Sequence, residues 1–342
     1  MALRDLPIRT PPLLLTLNLL LGLWILGGCS KAGGTVAALS QADAAVLADA
    51  GTVLADVAAV AAADADVAPD QQPVKSLPPL PDPLWGVTTD AIDKLPAILK
   101  SLDHLGQKHK PIVRIVFDEN QPPSEYAEAV PAIHEKSWIL GEILDSLYVK
   151  DISVDGYVAR TKAYLAAFPD TVDVWEIGNE INGEWLVAKG GSTADVVAKM
   201  SGAYDVLHAA GKRTALTLYY NKDCWSAPEN EMFAWTNVNV PARMRTGLDY
   251  VLVSYYEDDC NGLQPNWNSI FLELRKIFPT ARLGIGECGT TNAATKALYI
   301  QRYYGMKVDV PGFVGGYFWW YFHQDMVPDS TALFTALFDA IP

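Results

Sequence analysis

From residue 84 onward, short apolar runs rich in β-branched and aromatic residues alternate with longer segments of helical period. Eight such runs stand out: "LWGVTT", "PIVRIVF", "SWILGEIL", "VDVWEIGNE", "TALTLYYN", "DYVLVSYY", "RLGIGE" and "GGYFWWYF". Amphipathic stretches separate them, such as "DAIDKLPAILKSLDHLG" after the first and "STADVVAKMSGAYDVLHAAG" after the fourth, and "TALFTALFDAI" follows the last. The second of these ends at Gly211, as a capped helix does. Strand runs separated by helical segments predict parallel β/α units rather than hairpins. Eight units in this length match a (β/α)8 TIM barrel, with a doubly wound sheet as the alternative. In such a barrel the site is built at the C-terminal ends of the strands, so polar residues at the ends of the runs carry functional weight.

The chain before residue 84 has a different character. Arg4 and Arg9 precede the apolar stretch "LLLTLNLLLGLWIL", which is short for a bilayer span, and "LGGC" follows. That ending resembles a bacterial lipobox. The resemblance implies that residues 1–28 are a lipoprotein signal peptide, that Cys29 is lipidated, and that the mature chain is tethered to a membrane, at the outer membrane or cell surface. An ordinary secretory signal or N-terminal anchor gives the same side of the membrane, so an extracytoplasmic domain is expected on each reading. Residues 29–83 are rich in Ala and Asp and end in the Pro-rich "SLPPLPDP". Almost without aromatics, this stretch reads as a linker that cannot bury a core of its own. The barrel is therefore expected over residues 84–342.

Composition narrows the chemistry. Of 342 residues, half are hydrophobic, enough for a sizeable core, and the formal net charge is -14. No basic run occurs, and this balance excludes nucleic acid as a partner. An uncharged or cationic partner fits, and a monomer is expected. After Cys29 three cysteines remain. Cys224 and Cys260 follow neighbouring strand runs and are the candidate disulfide, which export permits, while Cys288 reads as a buried thiol. His104, His109, His134 and His208 fall on helical segments, so no rim cluster of histidines suggests a metal. Neither a G-x-S-x-G elbow nor a P-loop lysine occurs. The stretch "RLGIGECGTT" does match the G-x-G-x-x-G of dinucleotide loops. It sets Glu287 where a pyrophosphate would sit, however, and it belongs to the seventh run rather than the first, so a nucleotide site is rejected and no cofactor is expected. The glycines are read instead as letting the strand end come close to a substrate and a helix.

The fourth run ends "WEIGNE" and the seventh "GIGE", which gives Glu180 and Glu287 matching places at the rim of a closed barrel. A facing pair of carboxyl groups suits glycoside cleavage, in which one protonates the leaving oxygen and the other attacks the sugar or activates water. Here the chain resembles the clan A retaining glycoside hydrolases of cellulase and galactanase type, barrels whose fourth strand ends in Asn-Glu and whose seventh ends in Glu. The resemblance implies that Glu180 is the acid/base, that Asn179 binds the hydroxyl beside the reacting carbon, and that Glu287 is the nucleophile. Glu180 must then start protonated, which burial and neighbouring negative charge favour, and Glu287 must stay ionised. Arg114 lies inside an apolar run and needs a buried carboxylate partner, either the nucleophile or Glu176. By the same resemblance Tyr256, at the end of the sixth run, contacts the nucleophile, and Trp319 or Trp320 floors the sugar site, the pleat allowing only one of them to face inward. Trp85, Trp185 and Trp225 are further candidate sugar platforms among ten tryptophans. Asp118 and Glu119 after the second run, the acids from Glu257 to Asp259, and His323 are candidate contacts for sugar hydroxyls. The rival reading is a glycan-binding barrel of the cell envelope that does not turn its ligand over.

Overall fold

The structure, a computed structural model, describes residue 77 and residues 79–342 apart from 188 and 223. The expected signal segment, Cys29 and most of the linker lie outside these described residues. Among them, no helix is long and apolar enough to cross a membrane.

Eight parallel strands close in chain order into a barrel, as the alternating pattern predicts. They are β1 (Leu84–Thr89), β2 (Ile112–Val116), β3 (Trp138–Glu142), β4 (Val174–Gly178), β5 (Thr214–Tyr219), β6 (Tyr250–Tyr255), β7 (Arg282–Cys288) and β8 (Phe313–Trp319). Helices α1 (Leu95–Leu105), α2 (Ala129–Lys136), α3 (Val154–Ala167) and α4 (Thr193–Ala209) follow β1 to β4. After β5 come α5 (Met232–Asn239) and α6 (Ala242–Gly247), then α7 (Trp267–Ile277) after β6 and α8 (Lys296–Tyr304) after β7. The short α9 (Phe322–Asp325) and α10 (Ala332–Ala340) complete the chain after β8. The start of α4 shows why the sequence breaks where it does: Ser192 and Asp195 form a reciprocal capping box. At its other end Gly211 takes a left-handed φ of +66°, which a residue with a Cβ adopts at a cost.

Both faces of a parallel strand are buried, so the runs read as continuously apolar. The outward residues, among them Val113, Ile115, Ile139, Trp175, Ile177, Val253 and Ile285, pack against the helices in the main core. The inward residues Leu84, Ile112, Leu140, Val174, Ala215, Tyr250, Leu252 and Phe318 form a second core inside the barrel. Two residues further along three of these strands, in the same inward phase, stand Arg114, Glu142 and Glu176, all buried. The floor of the barrel is thus apolar, and its upper interior is charged.

Candidate active site

The glycines of β7 act on geometry within the barrel. A Cβ on Gly284 would come within 2.6 Å of the Gly315 carbonyl oxygen, and one on Gly286 within 2.6 Å of Leu252 Cβ. Between β6 and β7 the register slips by one residue: Val253 pairs with Ile285, but Ser254 pairs with Glu287. This extra residue is a bulge, which resets the pleat and brings Glu287 into the phase of Ser254. The expectation that these glycines let substrate and helix approach is corrected here. Their neighbours are strands β6 and β8 and Thr217 of β5.

Arg114 stands at the centre of the charged layer, fully buried. Its Nε donates to Glu176 Oε2 at 2.7 Å, its Nη2 to Glu176 Oε1 at 3.1 Å, and its Nη1 to Glu287 Oε2 at 2.8 Å. The two partners considered from sequence are both engaged. Burial opposes the guanidinium charge, but Glu142, Glu176 and Glu287 together outweigh it and hold Arg114 well above its ordinary range. The ring of Trp320 lies 5.5 Å from the guanidinium carbon. Trp320 is therefore the inward tryptophan at the end of β8. Trp319 turns to the helix layer, where its Nε1 donates to Asp325 Oδ2 at 3.1 Å.

Glu287 has a second partner in Tyr256, whose hydroxyl donates to Oε1 at 2.5 Å. Burial, and then the charge of Glu287, push the Tyr256 phenol well above its ordinary range, so it keeps the proton it donates. Glu180 has a different environment. It accepts from Ser146 Oγ at 3.0 Å and from Ser254 Oγ at 2.7 Å. Ser146 in turn accepts from Trp185 Nε1 at 3.0 Å. Asn179 and Glu180 lie just beyond β4, and Glu180 takes a φ of +47°. A non-glycine residue in this left-handed region costs about 1–3 kcal/mol unless its surroundings fix it. They do fix it: Ile181 N–H donates to the Thr217 carbonyl at 3.1 Å, and Gly183 N–H to the Glu180 carbonyl at 2.7 Å. Next along, the Asn182 side chain both accepts from Tyr219 N–H at 2.8 Å and donates to the Tyr219 carbonyl at 2.9 Å.

Ser254 links the two glutamates. Its Cα is the register partner of Glu287 while its hydroxyl touches Glu180. Adjacent strands lie about 4.8 Å apart, so both carboxyl groups project into one small region at the mouth of the barrel. One is tied to a cation and a phenol, and the other accepts from two hydroxyls that can also act as acceptors. A pair held in such unlike ways is suited to unlike roles in proton transfer and nucleophilic attack.

Sequence reasoning passed over several members of this cluster. Glu142, at the end of β3, is fully buried and accepts from Asn179 Nδ2 at 2.9 Å. Burial, with Glu176, Asp145 and Glu287 adding to it against Arg114, pushes its carboxyl well above the usual range. Ser146 and Ser254 were missed, as was Thr217, whose hydroxyl donates to Glu176 Oε1 at 2.5 Å. The available signal was phase: Ser254 follows inward Leu252 by two residues, and Glu142 follows inward Leu140 by two.

Other sequence-predicted residues lie elsewhere. Trp85 sits in the N-terminal part of β1, stacked on Tyr304 and Tyr317 at centroid distances of 6.4 and 5.5 Å, within the layer between strands and helices. Its expected place as a sugar platform is corrected, because only the C-terminal half of a barrel strand reaches the rim. Asp118 follows β2 with its side chain largely open to solvent, and partial desolvation of its carboxyl, with Glu119 and Asp90 nearby, raises its pKa. His323 faces Asp93 at 3.0 Å. The acids after β6 have structural partners: Glu257 pairs with Arg302, Asp258 accepts from Tyr299 at 2.9 Å, and Asp259 from Tyr219 at 2.6 Å. Cys224 and Cys260 form a disulfide that ties the loops after β5 and β6. Beside it Trp225 stacks on Trp185 with centroids 6.4 Å apart, and Tyr219 meets both rings edge-on. Cys288 is buried, its thiol donating to the Tyr317 carbonyl at 2.6 Å. Among the described residues no group of three His, Cys, Asp or Glu is arranged to hold a metal ion.

The chain matches no protein-family model and no curated protein. Among solved structures it is similar to Gas2p of Saccharomyces cerevisiae. In complex with laminaritriose and laminaritetraose, Gas2p gives a TM-score of 0.47 at 14% identity, over 76% of this chain and 64% of that one. Gas2p with laminaripentaose gives the same values, and Gas2p with a ligand designated compound 8 gives a TM-score of 0.48 at 15% identity, over 76% of this chain and 63% of that one. The chain thus spans less than two thirds of the length of the Gas2p chains it resembles.

Proposed function

We propose that this protein is a retaining glycoside hydrolase that cleaves β-glycosidic bonds of an oligosaccharide or polysaccharide with Glu180 and Glu287. The observation that carries this reading is the bridge at Ser254, which sets a hydroxyl-bound carboxyl beside an ion-paired one. Retaining enzymes hold the two groups about 5–5.5 Å apart and inverting ones about 6.5–9.5 Å, so their spacing is what separates the two outcomes.

In the first step a Glu287 oxygen attacks the anomeric carbon. The bond to the leaving oxygen breaks, and that oxygen takes the proton of Glu180. In the second, Glu180 as carboxylate removes a proton from water, whose oxygen attacks the same carbon and releases Glu287. Arg114 and Tyr256 keep Glu287 ionised and aimed. Asn179 stands next to Glu180 with its amide buried and only partly hydrogen-bonded, and we assign this side chain to the hydroxyl beside the reacting carbon. Trp320 floors the site. Tethering through Cys29 outside the cytoplasm belongs to the same proposal, and the Cys224–Cys260 disulfide supports an oxidising compartment.

The test is product release from a panel of β-glycans, laminari-oligosaccharides among them, by the protein and by Glu287→Gln. Release by the first and not the second supports the proposal. Glycan binding without release, unchanged in Glu287→Gln, overturns it in favour of a binding barrel.

A further inference from the structure

Two buried polar atoms in the charged layer lack a hydrogen-bond partner, and they belong to side chains that touch each other: Glu142 Oε2 and Asn179 Oδ1. Glu142 Oε2 lies 3.1 Å from Arg114 Nη2, yet outside hydrogen-bond geometry. Leaving a buried polar atom unpaired costs about 1–3 kcal/mol, so two on side chains that touch call for an explanation.

Charge supplies one. Were Glu142, Glu176 and Glu287 all ionised around the single Arg114, the buried layer would carry two uncompensated negative charges. Glu176 and Glu287 each receive a guanidinium hydrogen bond, and Glu142 receives none. Glu142 is thus the carboxyl that best keeps its proton. Glu176 faces it from β4, Glu287 from β7, Asp145 from the loop after β3 and Arg114 from β2, while the Tyr157 phenol lies near it on α3.

A protonated Glu142 needs an acceptor, and Arg114 offers only donors to Oε2. The acceptor must lie at Oε1, where Asn179 stands 2.9 Å away. The two ends of an amide are alike in shape, and their assignment follows the hydrogen-bond network. We propose that Glu142 is a positioning acid: its Oε1–H donates to Asn179 Oδ1, which turns the Asn179 amide and leaves its NH2, rather than its carbonyl, for the ligand. Glu142 Oε2 keeps its place 3.1 Å from Arg114 Nη2, beside the guanidinium charge. Asn179 meets the sugar as a donor to the oxygen of the hydroxyl beside the anomeric carbon, and Glu142 sets that polarity without touching substrate. This inference rests on the glycosidase reading for its ligand only.

The experiment combines two readouts on the full chain. Infrared difference spectra between wild type and Glu142→Gln at neutral pH are expected to show the loss of one carboxylic-acid C=O band, whether or not any glycan is cleaved. On a glycan that is cleaved, Glu142→Gln, which still donates to Asn179, is expected to stay within about threefold of wild-type kcat/KM. Glu142→Ala is expected to fall by roughly tenfold to a hundredfold, as one buried hydrogen bond predicts. A difference spectrum that loses a carboxylate band instead overturns the proposal, as does a Glu142→Gln enzyme with native melting that is as impaired as Glu142→Ala. Loss of the acid band without turnover on any glycan overturns only the glycosidase reading.

Discussion

Replacing Arg114 with Met isolates the contribution of the buried cation, since Met fills a similar volume and leaves the strand apolar. The side chain is fully buried and lies within 3.1 Å of three carboxyl groups, with hydrogen bonds to Glu176 and Glu287. Removing one partner of a buried pair costs about 3–5 kcal/mol, because the charge left behind is uncompensated. For a domain of this size each kcal/mol shifts the melting temperature by about 2–4 °C, so the variant is expected to melt roughly 6–20 °C below wild type at pH 7. The deficit should depend on pH in a definite direction. Without the cation, Glu142, already held above the usual carboxylate range by burial, loses the charge that opposes that shift and keeps its proton in the folded state to still higher pH than in the unfolded chain, where a glutamate titrates near about 4.3. The folded variant then binds more protons than the unfolded one, so its stability is highest below that value and is lost as pH rises through the raised folded value. Melting curves followed by circular dichroism from pH 4 to pH 8 should show the gap to wild type widening with pH. A constant gap, or a melting point within about 2 °C of wild type at neutral pH, would refute the reasoning, since an unpaired buried carboxylate cannot be neutral in energy.

Two further predictions concern the frame around the site. The Cys224–Cys260 bridge closes a loop with a sequence separation of 36, for which chain entropy gives about 4 kcal/mol. A Cys224→Ser/Cys260→Ser variant, or wild type in reductant, should therefore unfold at a clearly lower urea concentration, and identical midpoints would count against the bridge. Gly284→Ala should destabilise by about 1–3 kcal/mol, as overpacking does, because the new Cβ meets the backbone oxygen of Gly315 at 2.6 Å. A thermal scan matching wild type would show that β7 and β8 can separate without cost.

The strands were legible because a parallel barrel buries both faces of each one, which leaves long apolar runs against which inward polar residues stand out. Arg114 and Glu287 were visible for that reason. Glu142 was not, because its run continues into Ile143 and Leu144, so the carboxylate seemed to interrupt a strand rather than end one. Trp85 was misplaced for want of direction: it lies near the start of β1, and the site is built at the ends. The choice between Trp319 and Trp320 depended on a break in the pleat, since β8 carries left-handed backbone at Gly315, Gly316 and Tyr317 and shifts register against β1. The bulge that turns Glu287 inward is likewise a property of paired strands, and no single run displays it. Nor does sequence predict a glutamate at φ +47°, a conformation imposed on Glu180 by Thr217 and Asn182.

The count of charges in the barrel bears on the proposed chemistry. On the proposed protonation of Glu142, Arg114 balances one of the two carboxylates it binds, which leaves the buried layer a single net negative charge. In the proposed reaction the sugar carbon gains positive character as the glycosidic bond breaks, so fixed negative charge beneath it stabilises the transition state more than the ground state. A second cation would cancel this field, and an ionised Glu142 would double the charge at the cost of burying an unpaired carboxylate. Tyr256 fits the same logic. It binds Glu287 as a neutral donor, fixing the position of the carboxylate without adding a positive charge beside the carbon it attacks. In the proposed reaction, the one arginine among three glutamates aims Glu287 while leaving the site negative, where an equal number of cations would secure the fold and weaken the chemistry.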